Sequence, residues 1–238
     1  MIDTVFISDL HLHPNEPKIQ ARFNTFIEWA KHSVQNLYIL GDLFNAWVGD
    51  DELDDWSRGV AQQIYSLNKH GVKVFYMHGN RDFLLGNTFA QRAGWEVIYE
   101  PAFINLGTEK VMLMHGDSYC TKDINHQRLR MLTRNRLFPW IFLRLPLTFR
   151  KRLASKLRSQ SMKSGKSMAE MDVVVDSVIK HMVQHSTKVL IHGHTHKCAL
   201  SVYPHEEYQL KRYVLSDWDD NPQILCYDYT KGLYYVTI

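Results

Sequence analysis

Cysteine pairs, long apolar runs and low-complexity tracts are scarce here, and each shortage excludes a class of protein. The 238 residues include three cysteines, Cys120, Cys198 and Cys226, which cannot all pair and lack zinc-type spacing. They are expected as reduced, packed thiols in a cytoplasmic protein. No apolar stretch reaches the roughly 18 residues of a membrane-spanning helix. The chain opens on a short apolar run, residues 4–7, without a basic leader, so no signal peptide is expected. Nor is there an internal repeat of fixed period. Charged residues at 22% and hydrophobic ones at 45% exclude disorder and supply one substantial core, alone or with an insertion.

Acid is missing from one region in particular. Residues 122–166 carry 13 Lys and Arg against a single acid, Asp123, whereas the rest of the chain has 15 bases and 24 acids. A net charge of only +3 hides this asymmetry. Positive charge so dense within an acidic frame reads as a contact surface for anions.

Short apolar runs, each ending in polar residues able to bind metal, organise the remainder. Residues 5–7 lead into Asp9-Leu10-His11, and 37–40 into Gly41-Asp42. Residues 72–77 lead into His78-Gly79-Asn80-Arg81-Asp82, 111–114 into His115-Gly116-Asp117, and 189–191 into His192-Gly193-His194-Thr195-His196. Their length and their Val, Ile and Tyr content predict strands. Helical patterns at 19–29 and 56–67 separate the early ones, which gives an α/β fold with a partly parallel sheet. Ligands gather at the carboxyl ends of such strands, where all five clusters fall. After residue 187 the runs 198–203, 208–215, 224–229 and 233–238 predict successive strands of a mostly antiparallel sheet.

The five clusters suit metal-assisted phosphoryl chemistry, which needs ions close together with open positions for water and substrate. Asp9 and His11, just past a strand, can reach one ion. His194 and His196 repeat that spacing, though they could serve different ions. Asp42, Asn80 and His115 complete an oxygen and nitrogen set suited to Mn²⁺ or related divalent ions. With a neutral amide at Asn80, two ions leave the centre net positive, which favours a phosphate.

Taken in order, these motifs resemble the calcineurin-like metallophosphoesterases. The resemblance implies a β-sandwich flanked by helices, with Asp9, His11, Asp42 and His196 on one ion and Asp42, Asn80, His115 and His194 on the other. Many relatives have histidine where this chain has Arg81. Arginine does not give up its proton near neutral pH but can clamp phosphate, which favours a diphosphate whose leaving group needs little protonation.

The stretches 38–44, 46–51 and 79–86, His115-Gly116-Asp117, Lys166-Ser167 with Met171-Asp172-Val173, and 191–196 are similar to a narrower family, the UDP-2,3-diacylglucosamine pyrophosphatases. That likeness implies lipid A biosynthesis in Gram-negative bacteria. The expected reaction is hydrolysis of UDP-2,3-diacylglucosamine to UMP and 2,3-diacylglucosamine 1-phosphate. By that likeness, water activated by two Mn²⁺ ions would attack the uridine-side phosphorus. Asp42, Arg81 and His194 form the implied catalytic set. Asn80, Arg81, Asp123, Ser161, Lys166 and His194 are the implied contacts to the sugar phosphate, with Lys163 a further candidate.

Residues 1–122 and 168–238 are expected to form the core and 123–167 a helical lid. The lid has a helix at 123–136, an apolar run at 137–147, a basic amphipathic piece at 149–157 and a polar loop at 159–167. A helix at 168–185 leads back to the core. Mixed basic and aromatic residues in the lid suit an interfacial segment, with most aromatics expected to be buried. The expected location is cytoplasmic, peripheral on the inner membrane, with no nucleic acid and no protein partner. The alternatives are a nuclease or another phosphodiesterase of the superfamily, or a non-catalytic binding module.

Overall fold

A computed structural model describes residues 1–135, 137–163 and 172–237, without the side chains at 158 and 160–163. The first half alternates strand and helix: β1 (Ile2–Ile7), α1 (Pro17–Ser33), β2 (Val34–Leu40), α2 (Asp55–Lys69), β3 (Lys73–Met77), α3 (Asn87–Ala93) and β4 (Glu96–Ile98). Local chemistry sets the starts. Pro17 opens α1, and Asp54 caps α2 by accepting the Ser57 amide at 2.8 Å while the Asp54 amide bonds back to Ser57. Then come β5 (Ala102–Leu106), β6 (Glu109–Met114), α4 (Ile124–Thr133), α5 (Leu137–Phe142), α6 (Leu147–Lys163), α7 (Val175–Gln184) and β7 (Val189–His192). Four strands finish the chain: β8 (Ala199–His205), β9 (Tyr208–Val214), β10 (Gln223–Asp228) and β11 (Gly232–Thr237).

Two sheets result, ordered β11-β10-β1-β2-β3-β4 and β5-β6-β7-β9-β8. Strands β1 to β4 are parallel, as strand–helix–strand crossovers require. The last four strands do not form one antiparallel sheet as expected. β8 and β9 join β7, while β10 and β11 cross to the other sheet and pair with β1. Each hairpin is local, but which edge it extends is a long-range choice.

Alternation along the strands divides the apolar residues between layers. Val5, Ile7, Leu37 and Ile39 pack under α1 to α3 with Phe23, Phe26, Ile64 and Phe89. Phe6, Leu40 and Met77 face the other way, against Val111, Leu113, Val189 and Ile191 between the sheets. On the outer face of the second sheet, Met112, Met114 and Leu190 meet Val178 and Met182 of α7. The order is therefore helix, sheet, sheet, helix. The parallel strands β1, β2 and β3 and the parallel pair β6 and β7 all deliver their following loops to one end.

Two boundaries differ from expectation. α6 continues to Lys163, through residues expected as loop. α7 begins at Val175, because Asp172 pairs with Lys197 and the Val174 amide is tied to the Tyr119 carbonyl, holding 172–174 off a helical path. No described helix is long and apolar enough to cross a membrane.

Candidate metal centre

The site begins with strained backbone. Among the described residues, seven other than glycine have positive φ, and five of them are Asp9, His11, Asp42, His194 and His196, at 53° to 69°. Such left-handed conformations cost energy and persist only where surroundings enforce them. Here the enforcement is visible. The Asp9 amide bonds the Gly41 carbonyl at 3.1 Å and the His11 amide bonds that of Asp42 at 3.0 Å, so the loops after β1 and β2 hold one another. Close approach also requires glycine. A Cβ on Gly79 would collide with the Asp42 carboxylate, and one on Gly193 with Ser8 and Asp9.

Beneath these loops lies a carboxylate to which sequence reasoning gave no role. Asp82, fully buried, accepts the amides of Gly79 (2.9 Å), Asp42 (3.2 Å), Leu43 (2.7 Å) and Phe44 (3.3 Å). It pins the loop after β3 to the loop after β2. Its place in Gly79-Asn80-Arg81-Asp82 was the available signal, but its partners are 38 to 40 residues away along the chain for three of the four bonds.

The candidate ligands converge in two groups, Asp9 with His11 and His196, and Asp9 with Asp42 and His115. Asp9 is common to both, and Asp42 of the second group also reaches toward the first, with Oδ2 3.7 Å from His11 Nε2 and Oδ1 3.8 Å from His115 Nε2. His196 Nε2 is 3.4 Å from the buried Asp9 Oδ1, while Asp9 Oδ2 is held by Ser8 Oγ and the His194 amide. Asn80 Oδ1 is 2.8 Å from both His115 Nε2 and His194 Nδ1. The wider gaps lie at or a little above the roughly 3.4 Å between tetrahedral ligands that are each about 2.1 Å from one ion. His115 donates Nδ1–H to the Leu40 carbonyl at 2.9 Å, which aims Nε2 inward, and His196 Nδ1 is backed by Asp217 at 3.3 Å. These residues therefore fit divalent ions. Asp217 carries no local motif and was missed.

Electrostatics agree with a site built for cations. Burial opposes charge on His115, but Asp42 and Asp9 outweigh it and hold the imidazole up at about 9. His196 is pushed up to about 10, because Asp217 and Asp9 more than offset its burial. His194 goes the other way, down to about 3, through burial and then the charge on His115. Burial raises Asp42, whereas Asp9, although buried too, is driven below the usual carboxylate range by His196 and neighbouring imidazoles. Arg81 stands beside the group, its Nε 3.4 Å from Asp42 Oδ2 and its Nη1 bonded to Asn45 at 3.1 Å.

Of the remaining expected contacts, Asp123 is the cap of α4, accepting the His126 amide at 3.0 Å. The side chains of Ser161 and Lys163, and Lys166 altogether, lie outside the described residues.

The helices α4 to α6 form an arm over this end. Phe142 is buried against Val48 and Leu84, with Phe138, Leu145, Leu147 and Leu153 around them. Part of its positive charge is turned toward the core, while Arg128, Arg144, Arg152 and Lys156 stay exposed. Arg150, 1% exposed, bonds the carbonyls of Val48 and Leu145 and the Asp51 carboxylate, and Lys151 pairs with Glu52 at 3.0 Å. Arg150 is thus unavailable to lipid headgroups, unlike the interfacial basic residues expected in the lid. The aromatics also depart from expectation: Phe142 is buried, but Trp140 and Phe149 are 58% and 52% exposed. Arg144 lies over the Trp140 ring at 3.6 Å.

Comparison with known proteins follows the same lines. The calcineurin-like phosphoesterase family model matches residues 2–198. A UDP-2,3-diacylglucosamine hydrolase of Pseudomonas entomophila (strain L48) is 42% identical over 90% of each chain. Those of Aeromonas salmonicida (strain A449) and Cellvibrio japonicus (strain Ueda107) are 40% and 44% identical, over 94% and 91% of this chain and 89% and 91% of theirs. Ligand candidates at five strand ends, a family match across most of the chain and identity at this level lead to one conclusion: the chain belongs to the calcineurin-like phosphoesterase family, in the group of these hydrolases.

Proposed function

We propose that this chain hydrolyses the diphosphate of UDP-2,3-diacylglucosamine, releasing UMP and 2,3-diacylglucosamine 1-phosphate for lipid A biosynthesis, with two Mn²⁺ ions. The observation that carries the reading is Asp42, whose two oxygens each face a histidine of a different ligand group while Arg81 touches the same carboxylate. Asp9, His11, Asp42 and His196 would hold one ion, and Asp42, Asn80, His115 and His194 the other. When bound, the ions lower the pKa of a water and neutralise phosphate charge.

The chain's own groups do the rest. Asp42 and Asp9 fix the positions of the imidazoles. Arg81, a third exposed, keeps donors free beyond its Asn45 bond and can take an oxygen of the departing sugar phosphate. A phosphate leaving group needs no proton from that side chain. The arm would act as a lid over the acyl chains, its exposed Leu137, Trp140 and Ile141 meeting the cytoplasmic face of the inner membrane.

Incubation with Mn²⁺ and UDP-2,3-diacylglucosamine in detergent should release UMP, and Asp42→Ala should abolish that release. Equal turnover in the variant would reject the centre. A nucleic-acid track would have to do without Arg130 and Arg150, which are held by Glu100, Asp117 and Asp51. Cleavage of a generic phosphodiester alone would discard the lipid substrate and keep the metal reading.

A further inference from the structure

The arm touches the metal centre unevenly. His126, Arg130 and Arg134 recur every four residues, which puts them on one face of α4 and its terminus. All three lie within 4.0 Å of the Asp117 carboxylate, and each also reaches the surroundings of a different candidate ligand. The His126 ring lies 5.6 Å from that of His194, tilted 31°. Arg130 clamps both sides of His115: Nη2 bonds Glu100 at 2.5 Å, whose other oxygen accepts the His115 amide at 3.1 Å, and Nε bonds buried Asp117, two residues on, at 3.0 Å. Arg134 donates to the Gly79 carbonyl at 2.9 Å, fixing the peptide that leads into Asn80. His194, His115 and Asn80 are the three ligands that, with Asp42, make up one of the two ion sites. The other site is braced differently: Asp9 by Ser8 and the His194 amide, His196 by Asp217.

We infer that this face of α4 is a brace for one ion site only, so that Arg130 and Arg134 act as positioning residues that set the occupancy of the Asn80–His115–His194 site separately from its neighbour. The inference rests on the two-metal reading. Both arginines are more than three-quarters buried and sit one step behind the ligands. Removing partners of that kind costs about tenfold to a hundredfold in metal affinity. The arm would thereby report its own seating to the chemistry, since displacement of α4 loosens three ligands of one ion together.

The test is Mn²⁺ titration of the metal-stripped full-length chain, following free Mn²⁺ by electron paramagnetic resonance. Wild-type protein should take up two ions and show a spin-coupled pair. In Arg130→Met, one site should weaken about tenfold or more while the other stays within about twofold, and at one added equivalent the spectrum should be that of isolated Mn²⁺. Arg134→Met, which breaks one carbonyl bond and the longer 3.9 Å ion pair with Asp117 but leaves the Glu100 and Asp117 links to Arg130, should show the same asymmetry in a smaller degree and guards against a variant that fails to fold. Trp140→Ala, on the same arm but away from the ligands, should leave both sites unchanged. Equal weakening of both sites, or no weakening in either arginine variant, would overturn the brace. Wild-type protein that takes up fewer than two ions would instead overturn the metal reading beneath it.

Discussion

At the strand ends, Asp9, His11, Asp42, His194 and His196 sit on left-handed backbone held by reciprocal amide bonds and by Asp82 below. On the arm, Leu132, Leu137, Trp140 and Ile141 stand more than half exposed. One region stores strain to fix a few atoms; the other leaves apolar surface open on relaxed backbone. Fixed positions serve chemistry on a phosphate, whose geometry never changes. An open apolar surface serves a partner of variable shape, as acyl chains and bilayers are. The two regions should therefore respond to mutation in opposite ways.

Breaking the rigid region should produce the largest effect. Asp82→Ala strands four buried amides at about 1 kcal/mol or more each, so urea denaturation should show a loss of about 3–5 kcal/mol. UMP release should fall with it. A variant as stable as wild type would mean that the loops are held by something other than this carboxylate. Next in size is Arg81→Ala, which removes the proposed phosphate donor and its contacts with Asn45 and Asp42 but leaves the buried loop bonds of Asp82 in place. Its kcat should drop about a hundredfold, with two Mn²⁺ ions retained in a metal assay and an unchanged melting temperature. A rate near wild type would leave Asp42 without its phosphate-side neighbour.

The carboxylates in this region also give it a pH dependence whose sign can be worked out. His115 and His196, held up at about 9 and about 10, carry protons near neutral pH in the metal-free protein. Each ion must expel such a proton to bind. Mn²⁺ affinity should thus rise with pH, by about tenfold per unit for each proton displaced. Metal-free protein behaves oppositely. Stability from raised histidine pKa values is fully present below about 6.5 and is lost as pH rises through 9 to 10. Thermal melts with and without Mn²⁺ from pH 6 to 9 should diverge, and parallel curves would contradict proton displacement.

The same contrast governs what could be read from the chain. The strand ends were legible because each couples a short apolar run to metal-competent side chains, in four of the five through a Gly-Asp, Gly-Asn or Gly-His step, and both signals are local. α3, β4 and β5 were not read: α3 starts without a side-chain cap, and β4 has only three residues. The supports of the centre were illegible for a different reason. Asp217 backs His196 and Glu100 holds His115 through folding alone, with no motif to mark them. Arg150, Lys151 and Arg152 are three equal charges in the sequence. Only the packing around Val48 and Leu145 buries the first and leaves the third exposed.

The open region supplies the smallest effect and the sharpest test of the contrast. Trp140 has its ring under Arg144 and makes its apolar surface available to solvent, so Trp140→Ala should change stability by no more than about 0.5 kcal/mol. Detergent-dispersed substrate should turn over as before, because no ligand or positioning residue is touched. Substrate carried in vesicles of anionic phospholipid is different. There the indole would seat at the headgroup level with the guanidinium beside it, and its loss should lower turnover by a few-fold. Raising salt should lower vesicle turnover in both proteins, since it screens the attraction of Arg144 and Arg152 to the surface. If detergent and vesicle rates fell together, Trp140 would belong to the rigid region after all, as part of the substrate's seat.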